Sequence, residues 1–225
     1  MDGDLTLDVL ETRIGRPSEL AATRNGPVIS AIAKARCIAA ALALDEINLA
    51  GDDQADRSVH GGPDKAVYCY PSEHADAWRE DGFDLSAGSV GENVVLRGAT
   101  ESEVRIGDIW RWGAAVVQIS QPRSPCFKLA LHTARKEISA VMIRRGRCGW
   151  YLRTVTPGEV DTTGAMELLE RDEANMTVYD TFAVLFAGQR PEADDHSTVQ
   201  SVLRSPALSP EWNGYVRARN PLAGP

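Results

Sequence analysis

Ile109-Trp-Arg-Trp-Gly-Ala-Ala-Val-Val-Gln-Ile-Ser-Gln-Pro-Arg-Ser-Pro-Cys-Phe-Lys128 is two apolar runs around a glycine, followed by a cysteine behind two prolines. Ile109 to Trp112 and Ala114 to Ile119 read as a buried strand pair, rich in the aromatic and β-branched residues that fit a pleated surface. Pro122 and Pro125 remove backbone donors and fix the chain direction, so Cys126 is carried on a constrained loop. Arg123 and Lys128 flank it, and nearby positive charge, like a helix starting at this point, lowers a thiol pKa. The alternative is that Cys126 is a small buried hydrophobe. The cations and prolines around it weigh against that.

Outward from this stretch the pattern stays that of short strands cut by glycine-rich turns. Leu5 to Ile14, Cys37 to Ile47, Ala66 to Tyr70, Glu92 to Leu96, Val104 to Trp112, Gly149 to Thr156 and Met166 to Leu169 all carry strand propensity. Many short strands with regular turns suggest a barrel or a sandwich. Helices are expected at Pro71 to Glu80, where proline opens the first turn, and at Thr133 to Arg145, with Ile138, Val141 and Met142 on one face. After Glu170 three short helices are expected, at Thr177 to Phe186, Thr198 to Leu203 and Pro210 to Arg219. The division this gives is a mostly β (α+β) unit over residues 1–169 and a small helical unit over 170–225.

Charge narrows the function classes. A net charge of -8 argues against general affinity for nucleic acid or an anionic membrane. Yet Ile109 to Lys136 contains no acid while keeping Arg111, Arg123, Lys128, Arg135 and Lys136. A window of that length would ordinarily hold about four acids. A buried strand pair would exclude charge of both signs, so it leaves the retained bases unexplained, whereas an anion site accounts for them. With 225 residues and 43% hydrophobic content the chain can bury a core without staples. The cysteines at 37, 69, 126 and 148 show no zinc or disulfide spacing. The first residues, Met-Asp-Gly-Asp, carry no apolar run, and no segment approaches the roughly eighteen apolar residues of a membrane span, so a reducing, cytoplasmic setting is expected.

Three further clusters carry polar chemistry. In Gly51-Asp-Asp-Gln-Ala-Asp-Arg-Ser-Val-His-Gly-Gly-Pro-Asp-Lys65, Gly61 and Gly62 let the backbone turn tightly as an anion nest, with Arg57, His60 and Lys65 beside it. The competing reading is a hairpin turn in which Arg57, Lys65, Asp56 and Asp64 form exposed ion pairs. In Gly88-Ser-Val-Gly-Glu-Asn93, Glu92 and Asn93 can bond a heterocyclic amide or orient a cation, or simply satisfy a turn. Trp150 and Tyr151, in Gly146-Arg-Cys-Gly-Trp-Tyr-Leu-Arg153, favour packing over a stacking platform.

Together and in this order, Gly-Asp-x-Gln-Ala-Asp, His-Gly-Gly-x-Asp-Lys-Ala-Val, Gly-Glu-Asn and Gln-Pro-Arg-x-Pro-Cys-x-Lys-Leu resemble the MOSC family, named after the C-terminal part of molybdenum cofactor sulfurases. The likeness is greatest to its stand-alone bacterial YiiM-like branch and runs from about Leu5 to Leu169, with the tail similar to that branch's three-helix unit. Phe127 stands where a tryptophan is common, and Cys69 and Cys148 are additional thiols. The resemblance implies a barrel-like fold and a pocket for a molybdenum cofactor (Mo-molybdopterin), with Cys126 as molybdenum ligand or sulfur acceptor. It also implies that Arg57, His60, Lys65, Arg123 and Lys128 hold phosphate or oxo groups, with Gly61, Gly62, Asp64, Glu92, Asn93 and Gln121 completing the cofactor site and His60 joining Cys126 in catalysis. Pyridoxal phosphate binding is a further family-level association.

Three functions follow from the resemblance. The first is a reductase of N-hydroxylated compounds such as 6-hydroxylaminopurine. Because no Gly-x-Gly-x-x-Gly dinucleotide fingerprint follows a strand, its electrons would come from a partner reductase protein. The second is a sulfur carrier using a Cys126 persulfide, and the third a module that only binds the cofactor. A homodimer is left open, and no residue of the helical tail stands out as catalytic.

Overall fold

The computed structural model describes residues 5–186 and 196–219. Among these the chain forms, in order, β1 (Thr6–Ile14), β2 (Ser18–Thr23), β3 (Gly26–Ser30), β4 (Ala35–Arg36), β5 (Ala41–Leu44), a 3₁₀ turn (Pro63–Lys65), β6 (Val67–Pro71), α1 (His74–Glu80), β7 (Val94–Arg97), β8 (Ile109–Trp112), β9 (Ala115–Pro122), α2 (Phe127–Thr133), α3 (Ile138–Arg145), β10 (Trp150–Thr156), β11 (Gly158–Asp161), β12 (Gly164–Glu170), α4 (Val178–Leu185), α5 (His196–Arg204) and α6 (Pro210–Arg219). No helix among the described residues is long and apolar enough to cross a membrane.

Seven strands close a barrel in the order β12-β8-β9-β10-β6-β7-β1, and β1 pairs back onto β12 with Leu7 opposite Met166. Every neighbouring pair is antiparallel except β6 and β7. Closure leaves the barrel no open edge of unpaired backbone groups. The expected mostly β, barrel-like architecture with helices added is what forms. The strand pair read from Ile109 to Ile119 is its β8–β9 hairpin, with Trp110 opposite Val117 and both buried.

Alternation along the strands sets which residues face the core and which face the helices. On β6, Val67 and Cys69 join Trp110, Ile119 and Trp150 in the main apolar cluster, while Tyr68 and Tyr70 turn outward. There they pack with Trp78, Leu129, Ile138 and Met142 beneath α1, α2 and α3. Phe182, Val199, Trp212 and Val216 of α4, α5 and α6 belong to the main cluster, so the last helices bury their apolar faces against the barrel.

Several elements depart from expectation. The helix expected over Thr133 to Arg145 is α3, which starts only at Ile138, and before it stands α2, to which no range was assigned and which ends where Ala134 turns into the left-handed region at φ 54. Pro71 ends β6, and α1 begins only at His74. Val104 to Asp108 is a turn rather than strand, held by the Asp108 carboxylate, which accepts the backbone N–H groups of Arg105 and Asp172. The β2–β3 hairpin was not anticipated, although its Asn25-Gly26 pair is a strong short-range hairpin signal.

Candidate functional site

A cleft of about 700 Å³, open mouth included, lies against the outer face of the barrel, lined there by Tyr68 and Tyr151. The loop after β9 brings Arg123 and Cys126 to the cleft, and Lys128 follows on α2. From the segment before β6 come His60, Gly61 and Lys65, and Asn93 enters just before β7.

Cys126 is the N-cap residue of α2 with extended backbone. Burial would raise its thiol pKa, but a hydrogen bond from His60, the Arg123 guanidinium and the Lys128 backbone N–H outweigh this and lower it to about 7. Cys126 is therefore about half thiolate at neutral pH, the form that attacks electrophiles and binds soft metals. Burial pushes the thiols of Cys69 and Cys148 up instead, which makes them inert packing residues.

Arg123 is 5% exposed. Its Nη1 points to Met142 Sδ at 3.2 Å and its guanidinium lies 5.4 Å from the Tyr68 ring centre. Burial disfavours its charge, yet the Tyr68 and Tyr151 phenols and Cys126 hold its pKa above the ordinary arginine value. No carboxylate among the described residues pairs with it. A buried cation without a counter-ion is costly, and an anionic ligand would relieve that cost.

At another part of the cleft wall Lys34 and Asp52 form a buried ion pair. Asp52 also accepts the Gly15 N–H at 2.7 Å and the Asn93 amide at 3.0 Å. Asn93 in turn accepts the Tyr68 N–H at 3.1 Å, so it ties this pair to β6. Burial lowers the Lys34 pKa, and Asp52 partly restores it.

Arg57, Gly62, Asp64, Glu92 and Gln121, also expected in the site, lie apart from the cleft wall. Arg57 is exposed and paired with Asp53 at 2.8 Å, so it forms a surface ion pair as in the competing reading of that turn, but with Asp53 in place of Asp56 or Asp64. Asp64 faces Arg153 at 2.7 Å. Glu92 is buried with its carboxylate on the Gly88 and Val90 N–H groups, so it shapes the loop that carries it. Gln121 is buried, and its Oε1 finds no partner among the described residues. Gly62 caps the turn at φ 90, while Gly61, at φ 73, packs against the Gln54 side chain. Lys34, Asp52, Tyr68 and Tyr151 were not anticipated. Tyr68 and Tyr151 had a signal in strand alternation, which sends them outward next to core residues, and Asp52 stood in the Gly-Asp-x-Gln-Ala-Asp motif without a role assigned to it.

The barrel carries the His-Gly-Gly and Pro-Cys segments to one outer cleft, and the MOSC domain model matches residues 56–167. The chain belongs to the MOSC family. It is 39% identical over 194 residues to Protein YiiM of Escherichia coli, covering 84% of each chain. The crystal structure of YiiM from Geobacillus stearothermophilus superposes with a TM-score of 0.76 at 28% identity, over 95% of this chain and 98% of that one. A protein of Gibberella moniliformis named Reductase is 34% identical over 144 residues, which span 61% of this chain and 25% of that protein.

Proposed function

We propose that the cleft holds a molybdenum cofactor and that the protein reduces N-hydroxylated compounds of the 6-hydroxylaminopurine type with electrons from a partner protein. The observation that carries this reading is the place of Cys126 at the start of α2 in the cleft, beside an Arg123 that is buried and has no carboxylate partner among the described residues. The donor set fits the group: a soft thiolate for the metal, and Arg123, Lys128 and Lys65 for phosphate or oxo oxygens. When bound, the cofactor supplies a two-electron centre that accepts oxygen from an N–O bond.

Balance requires a hydroxylamine, two electrons and two protons to give an amine and water. The chain's part is to bind, orient and manage protons. His60 hydrogen-bonds Cys126 and favours its thiolate form. Burial raises the phenols of Tyr68 and, to about 12, of Tyr151, so both stay protonated at neutral pH, and Tyr68 donates to the Cys148 carbonyl at 2.9 Å. Lys34, paired with Asp52, adds a proton-bearing group to the wall. The relative named Reductase supports a reductive role for the matched region.

The test is conversion of 6-hydroxylaminopurine to adenine by protein purified anaerobically from a cofactor-making host, with an artificial reductant. Conversion by wild type and none by Cys126→Ala is expected. Molybdenum-loaded wild type that leaves the compound unchanged would remove the reductase reading. Protein that lacks molybdenum but gains one sulfur atom of mass on Cys126 when given a sulfur donor would favour the persulfide carrier.

A further inference from the structure

Lys65 lines the cleft from the Pro63–Lys65 turn, yet its ammonium is already engaged. Glu211, in the first turn of α6, places Oε2 at 2.7 Å from Lys65 Nζ, and the Val59 carbonyl accepts from the same nitrogen at 2.8 Å. The other oxygen of Glu211 accepts from the Tyr215 hydroxyl at 3.0 Å. The helix that carries Glu211 is fastened next to the cleft. The Ser209 N–H bonds the Ser120 carbonyl at 3.1 Å, and the Ser120 hydroxyl reaches the carbonyls of Asp64 and Tyr151 at 2.6 and 3.1 Å. Trp212, the next residue after Glu211, is 1% exposed. Glu211 therefore stands at a fixed place beside a cleft cation.

We infer that Glu211 is an internal competitor for the anion end of the cleft: the phosphate of an incoming ligand takes Lys65 from it, and filling the cleft loosens α6. The inference rests on the reading of the cleft as a site for a phosphate-bearing ligand. Two carboxylates pair with cleft lysines, and only one can yield. Asp52 is held by Gly15 and Asn93 in addition to Lys34, with its side chain 1% exposed. Glu211 is 31% exposed, so water can replace Lys65 as its partner while Tyr215 keeps the other oxygen. A phosphate at Lys65 satisfies the same ammonium with more charge and repels Glu211. Coupling of this kind is reciprocal: a ligand that weakens the Lys65–Glu211 contact binds better when the contact is absent.

The test is titration of ligand-free protein with inorganic phosphate by calorimetry, together with hydrogen exchange of α6. Glu211→Gln should bind phosphate about fivefold more tightly than wild type, the effect of removing one charge several ångströms from a dianion in a partly hydrated site. In wild type, phosphate should speed exchange of the α6 amides, a readout that needs no variant to fold. Glu211→Gln binding no tighter than wild type, or α6 exchange unchanged or slowed by phosphate, overturns the inference. Arg123→Met separates the two levels. If wild type binds no phosphate, or Arg123→Met binds it as wild type does, the reading of the cleft fails and the inference with it. Binding that needs Arg123 but ignores Glu211 sinks the inference alone.

Discussion

Replacing His60 by alanine tests whether the cleft, rather than the cysteine alone, sets the reactivity of Cys126. The thiol pKa of about 7 is the outcome of burial, which raises it, and of the His60 hydrogen bond, Arg123 and the Lys128 N–H, which lower it. Loss of one such hydrogen bond is worth on the order of one pKa unit, so the midpoint should move to about 8. The thiolate fraction at pH 7 then falls from about a half to about a tenth. The more basic thiolate is also the better nucleophile by about threefold, so the alkylation rate at pH 7 drops only about twofold while the alkaline plateau rises. The midpoint of the pH profile is therefore the quantity to measure, by iodoacetamide alkylation followed by mass spectrometry. A Cys37→Ser background removes the half-buried competitor, and the buried Cys69 and Cys148 stay silent. A midpoint unchanged or lowered in His60→Ala would refute the account of how Cys126 is ionised.

Three further outcomes follow from the same contacts. Asp52→Ala leaves the Lys34 ammonium buried and unpaired and frees the Gly15 and Asn93 donors, so denaturant titration should show a loss of about 3 kcal/mol, and a loss below about 1 kcal/mol would contradict the pairing. Cys126 has a folded pKa below its unfolded value of roughly 8.5, so its ionisation stabilises the fold above that value and the contribution is lost as pH falls through about 7. The stability advantage of wild type over Cys126→Ser should accordingly shrink between about pH 9 and pH 6, and a gap that widens toward acid would be the wrong sign. Gly61→Ala puts a Cβ into the Gln54 side chain at φ 73 and should cost at least about 1 kcal/mol, read as a lowered melting temperature, whereas Gly62→Ala meets open space and bears only the backbone penalty at φ 90.

What could be read in the sequence was what lies close together in it. Pro122, Arg123, Pro125, Cys126 and Lys128 are neighbours along the chain and reach the cleft as a unit, because the rigid loop between β9 and α2 carries chemistry and geometry together. The barrel strands were legible through short apolar runs bounded by glycine, and α3 through the one-sided apolar face that ends at Gly146. The start and end of α2 were not, since Ala134 adopts a left-handed conformation without the glycine that would announce it. Lys34 and Asp52 were invisible for another reason. Lys34 is an isolated residue in a loop and Asp52 a motif acid with no visible partner, and only the barrel and Asn93 bring them together. Glu211 is a surface acid in a helix until α6 docks on Ser120. Arg57 and Glu92 show the opposite error: they sit inside motifs, but one pairs with Asp53 at the surface and the other caps its own loop.

The central claim is that Cys126 and its cations hold a molybdenum cofactor, and its most direct test is molybdenum and pterin content per chain after anaerobic purification from a cofactor-making host. The account expects near-stoichiometric molybdenum and pterin in wild type. It expects molybdenum to be lost from Cys126→Ala, with the fold intact by circular dichroism. Wild type that carries neither molybdenum nor pterin, or Cys126→Ala that carries both at the wild-type level, would contradict it.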